Sequence, residues 1–178
     1  MSEKGAQAAQ NRLRRLAESI DALTEKDESL LRYTKEMVAL RRRAAVELYQ
    51  ICAGFVTSIN SLLTRGPVIL DPPEFLPDSF QEENSNLIQM NVRGRILQVE
   101  YSATVELSST EDFRIPYTLE GFVRAFNQKL LDKNLIEEQL IFYTVEKSGS
   151  MWRFFDARTY RSGPFDQDYL IGLMEQIM

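Results

Sequence analysis

The side chains that could do chemistry in this sequence do not occur in the combinations most enzymes use. Three adjacent acidic pairs, Glu82-Glu83, Glu111-Asp112 and Glu137-Glu138, offer oxygen ligands suited to magnesium or calcium, but EF-hand spacing is missing. Acidic pairs in loops ordinarily serve to keep a surface hydrated, so no metal site is expected. Histidine is absent from the chain. That removes the commonest general base and metal ligand, and it excludes Ser-His-Asp hydrolysis, Cys-His proteolysis and histidine-containing zinc sites. The glycine patterns of a nucleophile elbow, a P-loop and a dinucleotide-binding turn are missing too. Chemistry by a carboxylate pair needs no histidine and stays formally open. The one cysteine, Cys52, lies among apolar neighbours and reads as a small buried hydrophobe. No catalytic, cofactor-binding or metal-ligating residue is assigned, no cofactor is expected, and the chain does not read as an enzyme.

Two groups of basic and aromatic residues are candidates for binding. Arg41-Arg42-Arg43, with Arg12, Arg14 and Arg15, would suit phosphates or an acidic partner. On a helix, three consecutive residues fan out over about 200°, which scatters the charge, and no aromatic residues interleave with the arginines. This reads as a solvated helix face, and nucleic acid is not the favoured partner. Trp152, Arg153, Arg158, Tyr160 and Arg161 lie along one strand and its exit, and their types are those enriched at binding hot spots. They form the candidate interaction surface, with Trp152 equally suited to the core.

These residues are carried by two regions that differ in charge. Residues 1–65 hold 11 Lys/Arg against 8 Asp/Glu, and residues 66–178 hold 10 against 18. A mildly basic helical oligomerisation arm over 1–65 thus precedes a compact acidic α+β domain over 66–178, which would repel nucleic acid and anionic membrane. The N-terminus has no apolar signal-peptide core. The most apolar later stretch, Ala44 to Leu63, is broken by polar residues, so a cytoplasmic protein without a membrane span is expected.

Within the arm, apolar residues step by three and four: Leu13, Leu16, Ile20, Leu23, Leu30, Met37, Leu48, Ile51, Phe55 and Leu62. This is a heptad seam, and it predicts a coiled coil joining a homo-oligomer, in the first instance a dimer. Asp27, Thr34 and Arg41 fall at its a positions and leave the middle polar. Thr24-Glu25-Lys26-Asp27 also resembles a helix cap, so two readings stand: one helix reaching on the order of 85 Å, or a hairpin broken near 24–27. Between Ala44 and Leu63 the apolar face is wider than a seam requires and must meet the chain's own sheet or further helices. Gly66-Pro67 predicts the helix end.

Beyond the arm, Val68–Leu70 reads as a short strand and 71–86, with three prolines, as an acidic surface loop. Alternation predicts strands over 87–92, 95–107, 139–146 and 151–160, with turns at Gly94 and Ser148-Gly149-Ser150. A helix is predicted from Leu119 to about Lys133, capped by Thr118 and striped by Leu119, Phe122, Val123, Phe126, Leu130 and Leu131. Asp166 or Asp168 caps a last helix, Tyr169 to Ile177.

The expected fold is therefore α+β: a long helix, then an antiparallel sheet in the order β-β-β-α-β-β-α. Over roughly residues 50–178 this element order resembles that of the small acidic secretion-chaperone fold, with no sequence motif involved. The functional expectation is a non-enzymatic, chaperone- or adaptor-like protein that self-associates through its N-terminal helix and binds another, unidentified protein. The alternative is a small-ligand domain with an apolar pocket between sheet and helices, lined by Phe126, Phe142, Tyr143 and Phe154.

Overall fold

The computed structural model describes residues 3–127 and 134–178. The fold is α+β: a long helix, an antiparallel sheet and a C-terminal helix. The chain divides into two units, Met1–Ala39 and Leu40–Met178, so the second unit begins well before Gly66 and takes in the last part of the first helix. No helix among the described residues is long and apolar enough to cross a membrane.

Helix α1 runs from Glu3 to Asn60 without a break. The polar stretch that resembles a cap does not interrupt it. The Thr24 hydroxyl bonds the Ile20 carbonyl at 2.9 Å, and Ser19 and Thr34 do the same to Arg15 and Leu30, so these side chains are satisfied inside the helix. The helix ends earlier than Gly66-Pro67 predicts. Asn60 bonds both polar groups of the Val68 backbone, at 2.7 and 3.0 Å, and closes a loop over residues 61–67 in which Gly66 takes φ +120°. Leu62, read from sequence as part of the helical seam, lies in that loop and is exposed.

Seven strands among the described residues form one antiparallel sheet in which each pairs with the next: β1 Ile69–Asp71, β2 Asn86–Val92, β3 Arg95–Ser108, β4 Tyr117–Asn127, β5 Asn134–Glu146, β6 Gly149–Asp156 and β7 Arg161–Pro164. Helix α2, Gln167–Ile177, follows, and the Asp166 carboxylate accepts the Tyr169 backbone N–H at 2.9 Å as its cap. One sheet face supplies Ile88, Met90, Leu97, Val99, Tyr101, Leu119, Val123, Ile141, Tyr143 and Trp152 to a core shared with α1 and α2. From α1 come Ala44, Ala45, Leu48, Cys52, Phe55 and Val56, and from α2 Leu170, Leu173, Met174 and Ile177. From Ala44 to Ile59 the wide apolar face is thus met by the chain's own sheet, while Leu62 and Leu63 stay exposed. On the opposite face, Phe113, Tyr117, Phe142 and Phe155 form a smaller aromatic cluster.

The largest departure from expectation is β4. Residues 117–127, read as the start of a helix, are a central strand paired with β3 and β5; the rest of that predicted helix, 128–133, lies outside the described residues. In this segment Leu119 and Val123 fit both a helical stripe and a strand face, and the β-branched and aromatic content of Tyr117, Thr118, Phe122, Val123 and Phe126 favours the pleated surface. The predicted stripe separates: Leu119 and Val123 enter the main core, and Phe122 points away with Arg124 stacked on its ring at 4.4 Å. Among the described residues the order of α-helices and strands is therefore α-β-β-β-β-β-β-β-α, which departs from the secretion-chaperone order. Strand β7 was also unforeseen; the sequence places a stop at Gly163-Pro164, and the structure pairs those residues with Phe154 and Arg153.

Gly121 shows how tightly β3 and β4 meet. A Cβ there would lie 2.0 Å from the Glu100 carbonyl oxygen and 2.7 Å from the Tyr101 Cα. Replacing Gly121 with Ala is expected to lower unfolding free energy by about 1–3 kcal/mol through forced strand separation; an unchanged urea midpoint would contradict this close approach.

Candidate functional site

In the first unit, Leu13, Leu16, Ile20, Leu23 and Leu30 repeat at heptad spacing and are between 53 and 62% exposed, with Leu31 and Tyr33 also exposed. Met37 is half-buried. Large aliphatic side chains repeated over several turns and left in water are what an unfilled contact face looks like. The remaining seam residues have a different fate. Leu48 and Phe55 are buried in the second unit's own core and Ile51 packs against it, so this part of the apolar repeat is taken up by intramolecular packing.

The division at Ala39 also changes the charge reading. Residues 1–39 hold 7 Lys/Arg against 7 Asp/Glu, and the arginine run belongs to the second unit. There Arg41 is not a solvated residue: it is 7% exposed. Its Nε donates to the Thr118 hydroxyl at 2.7 Å, its terminal nitrogens to the Glu82 carboxylate and the Thr104 carbonyl. It thereby ties α1 to β4, to the end of β3 and to the acidic loop. That loop is further held by Phe75 stacked on Tyr49 and Phe80 stacked on Tyr101. The clue in the sequence was that Arg41 shares a helix face with Ala44, Ala45 and Leu48. Arg42 and Arg43 are exposed, as a solvated face requires.

The five residues of the candidate interaction surface are not brought together. Trp152 is 1% exposed, its indole N–H donating to the Ala44 carbonyl at 2.8 Å, and it belongs to the core. Arg153 follows it on the opposite sheet face, across from Phe142. Arg158 and Tyr160 are exposed in the β6–β7 turn, where Tyr160 takes φ +55° and its ring meets Phe155 edge-on. Arg161 opens β7 and lines a cleft of about 440 Å³ between β6, β7 and α2, with Asp156, Asp166, Asp168, Gln139, Phe154 and Tyr169.

The polar groups of this cleft are largely engaged. Asp156 accepts the Arg158 backbone N–H at 3.0 Å, Asp166 caps α2, and the Tyr169 hydroxyl donates to Gln139. Burial first, then the nearby Asp156 charge, pushes the Tyr169 hydroxyl well above its ordinary value. No nucleophile stands beside a base here. The apolar pocket foreseen between Phe126, Phe142, Tyr143 and Phe154 is not assembled: Phe142 joins the opposite-face cluster, Tyr143 packs on Trp152, and Phe154 stacks on Tyr169 at 4.2 Å. Among the described residues no group of three or more metal-ligating side chains comes together. Compared with protein-family models, curated proteins and solved structures, the chain matches none.

Two outcomes are expected. Arg41→Ala strands the partly buried Glu82 carboxylate and should lower stability by about 2–3 kcal/mol, the water still reaching Glu82 keeping the loss moderate; an Arg41→Met/Glu82→Leu double variant should recover most of it in urea titrations. Burial pushes the Cys52 thiol up to about 12 from an ordinary 9.0. Below pH 9 the thiol is protonated whether folded or not; above it only the unfolded chain releases the proton. Stability should therefore fall as pH rises from about 9 toward 12, less steeply in Cys52→Ala. A thiol reagent at pH 8 should label Cys52 only after unfolding.

Proposed function

We propose that this is a non-enzymatic protein-interaction protein of the chaperone or adaptor kind, which self-associates through residues 13–37 of α1 and works in the cytoplasm. The observation that supports this most directly is the exposed stripe of Leu13, Leu16, Ile20, Leu23 and Leu30. A stripe of this spacing is buried by similar helices, and further copies of the chain supply them at matching register. The lack of histidine, and the structural hydrogen bonds that engage Asp156, Asp166 and Tyr169 in the β6–β7–α2 cleft, fit a role without covalent chemistry.

The stripe is wider than the two-stranded seam expected from the sequence. With Leu13 at position a, the exposed Leu31 and Tyr33 fall at e and g, and Arg14, Asp21, Glu28 and Lys35 occupy every b position. A two-stranded coil places charge at e and g, whereas a bundle of three or four helices buries those positions as well. The contact face fits the larger bundle better than the dimer.

Light scattering after size exclusion is the test. The full chain should run at a multiple of 20.6 kDa, three- or fourfold, and Leu16→Glu/Leu23→Glu should run as a folded monomer. A monomeric native chain would remove the reading.

A further inference from the structure

A second apolar surface lies in the Leu40–Met178 unit, apart from the α1 stripe. Where the chain leaves α1 and where β2 turns into β3, a groove of about 620 Å³ is lined by Leu63, Arg65, Ile69, Val92, Arg93 and Met178, among others. Its apolar walls are unusually wet: Ile69 is 61% and Met178 67% exposed, and Leu62 beside it is more exposed still. The volume falls in the range of sites that hold ligands.

The rim is set by backbone geometry. Arg93 takes φ +50° in the β2–β3 turn, where the Asn91 carboxamide accepts the Gly94 N–H at 2.8 Å. Its guanidinium lies 3.4 Å from the Arg65 carbonyl, and both residues line the groove. No Asp or Glu lines it. The unit as a whole is acidic, with 14 Lys/Arg against 19 Asp/Glu in residues 40–178. An acidic partner is therefore repelled by the net charge of the unit and attracted at this groove, where arginines flank open apolar walls.

We propose that this groove docks a peptide segment of a partner protein that presents large apolar side chains flanked by carboxylates. The apolar side chains lie against Ile69, Val92 and Met178, and the flanking carboxylates pair with Arg65 and Arg93. The site is independent of the α1 stripe, so assembly and partner docking are separable.

The experiment uses the full-length chain and three fluorescein-labelled dodecapeptides in anisotropy titrations: a Leu-Phe-Leu core flanked by Glu, the same core flanked by Lys, and an Ala core flanked by Glu. The Glu-flanked Leu-Phe-Leu peptide should bind at least tenfold more tightly than either control. Arg65→Glu/Arg93→Glu, both exposed and remote from the core, should reverse the preference between Glu and Lys flanks, and Ile69→Ser should weaken binding about tenfold, with melting curves unchanged. Equal binding of the three peptides, or an unaltered preference in the double variant, overturns the proposal. So does a change in the assembled mass of Ile69→Ser, which would make the groove a contact between copies. Binding to vesicles of phosphatidylcholine and phosphatidylglycerol that depends on the two arginines, without peptide binding, would assign it to a lipid surface and overturn it equally.

Discussion

The fold depends on one close packing, that of the Ala44–Val56 face of α1 against the sheet. Ala44 and Ala45 are fully buried, and their small side chains leave room for the Trp152 indole to reach the helix backbone and donate to the Ala44 carbonyl. Around this contact Tyr101 and Tyr143 set their rings at 5.4 Å from Trp152, one edge-on and one tilted. Each ring comes from a different strand, so the helix is the common surface that gives β3, β5 and β6 a shared core. Without that face the seven-stranded meander would have one apolar side in water.

Polar interactions define where this packing begins. Arg41 carries the first buried side chain of α1, and its donors are shared among a hydroxyl on β4, a carbonyl at the end of β3 and the Glu82 carboxylate of the acidic loop. A buried guanidinium contributes little net stability, because desolvation offsets most of its Coulomb energy, but it imposes geometry: only one placement of helix, strands and loop satisfies all its donors. The same segment was read from sequence as part of an exposed basic run, and the loop as a free acidic surface. Arg41 and Glu82 neutralise each other, while Arg42, Arg43 and most of the loop stay exposed.

One helix thus carries a single apolar repeat with two kinds of environment. In residues 40–60 the repeat is widened by alanines and aromatic residues and is consumed by intramolecular packing; from Leu13 to Leu30 it is made of Leu and Ile with charge at the outward positions and is open. The difference is one of composition at the flanking positions, since a face covered by a sheet tolerates small residues for close approach.

By itself the sequence determined what local pattern can determine. The period of the apolar residues specified helix in the N-terminal part without deciding between one helix and a hairpin, alternation specified most strands, Gly94 and Gly149 marked turns where φ is positive, Asp166 and Asp168 bracketed the start of α2, and the absence of histidine narrowed the chemistry. Tertiary structure alone decided the rest. Leu119 and Val123 satisfy both a helical and an extended period, and pairing with β3 and β5 resolved the ambiguity because a central strand buries both backbone edges. Strand β7 is four residues long and contains a proline, too short to announce itself except through its partner β6. Whether Leu48 faces a sheet and Leu16 faces water, or whether Arg41 is solvated or buried, depends on residues far away in the chain. A periodic pattern marks an apolar face, but whether it is covered, and by what, is a property of the folded molecule.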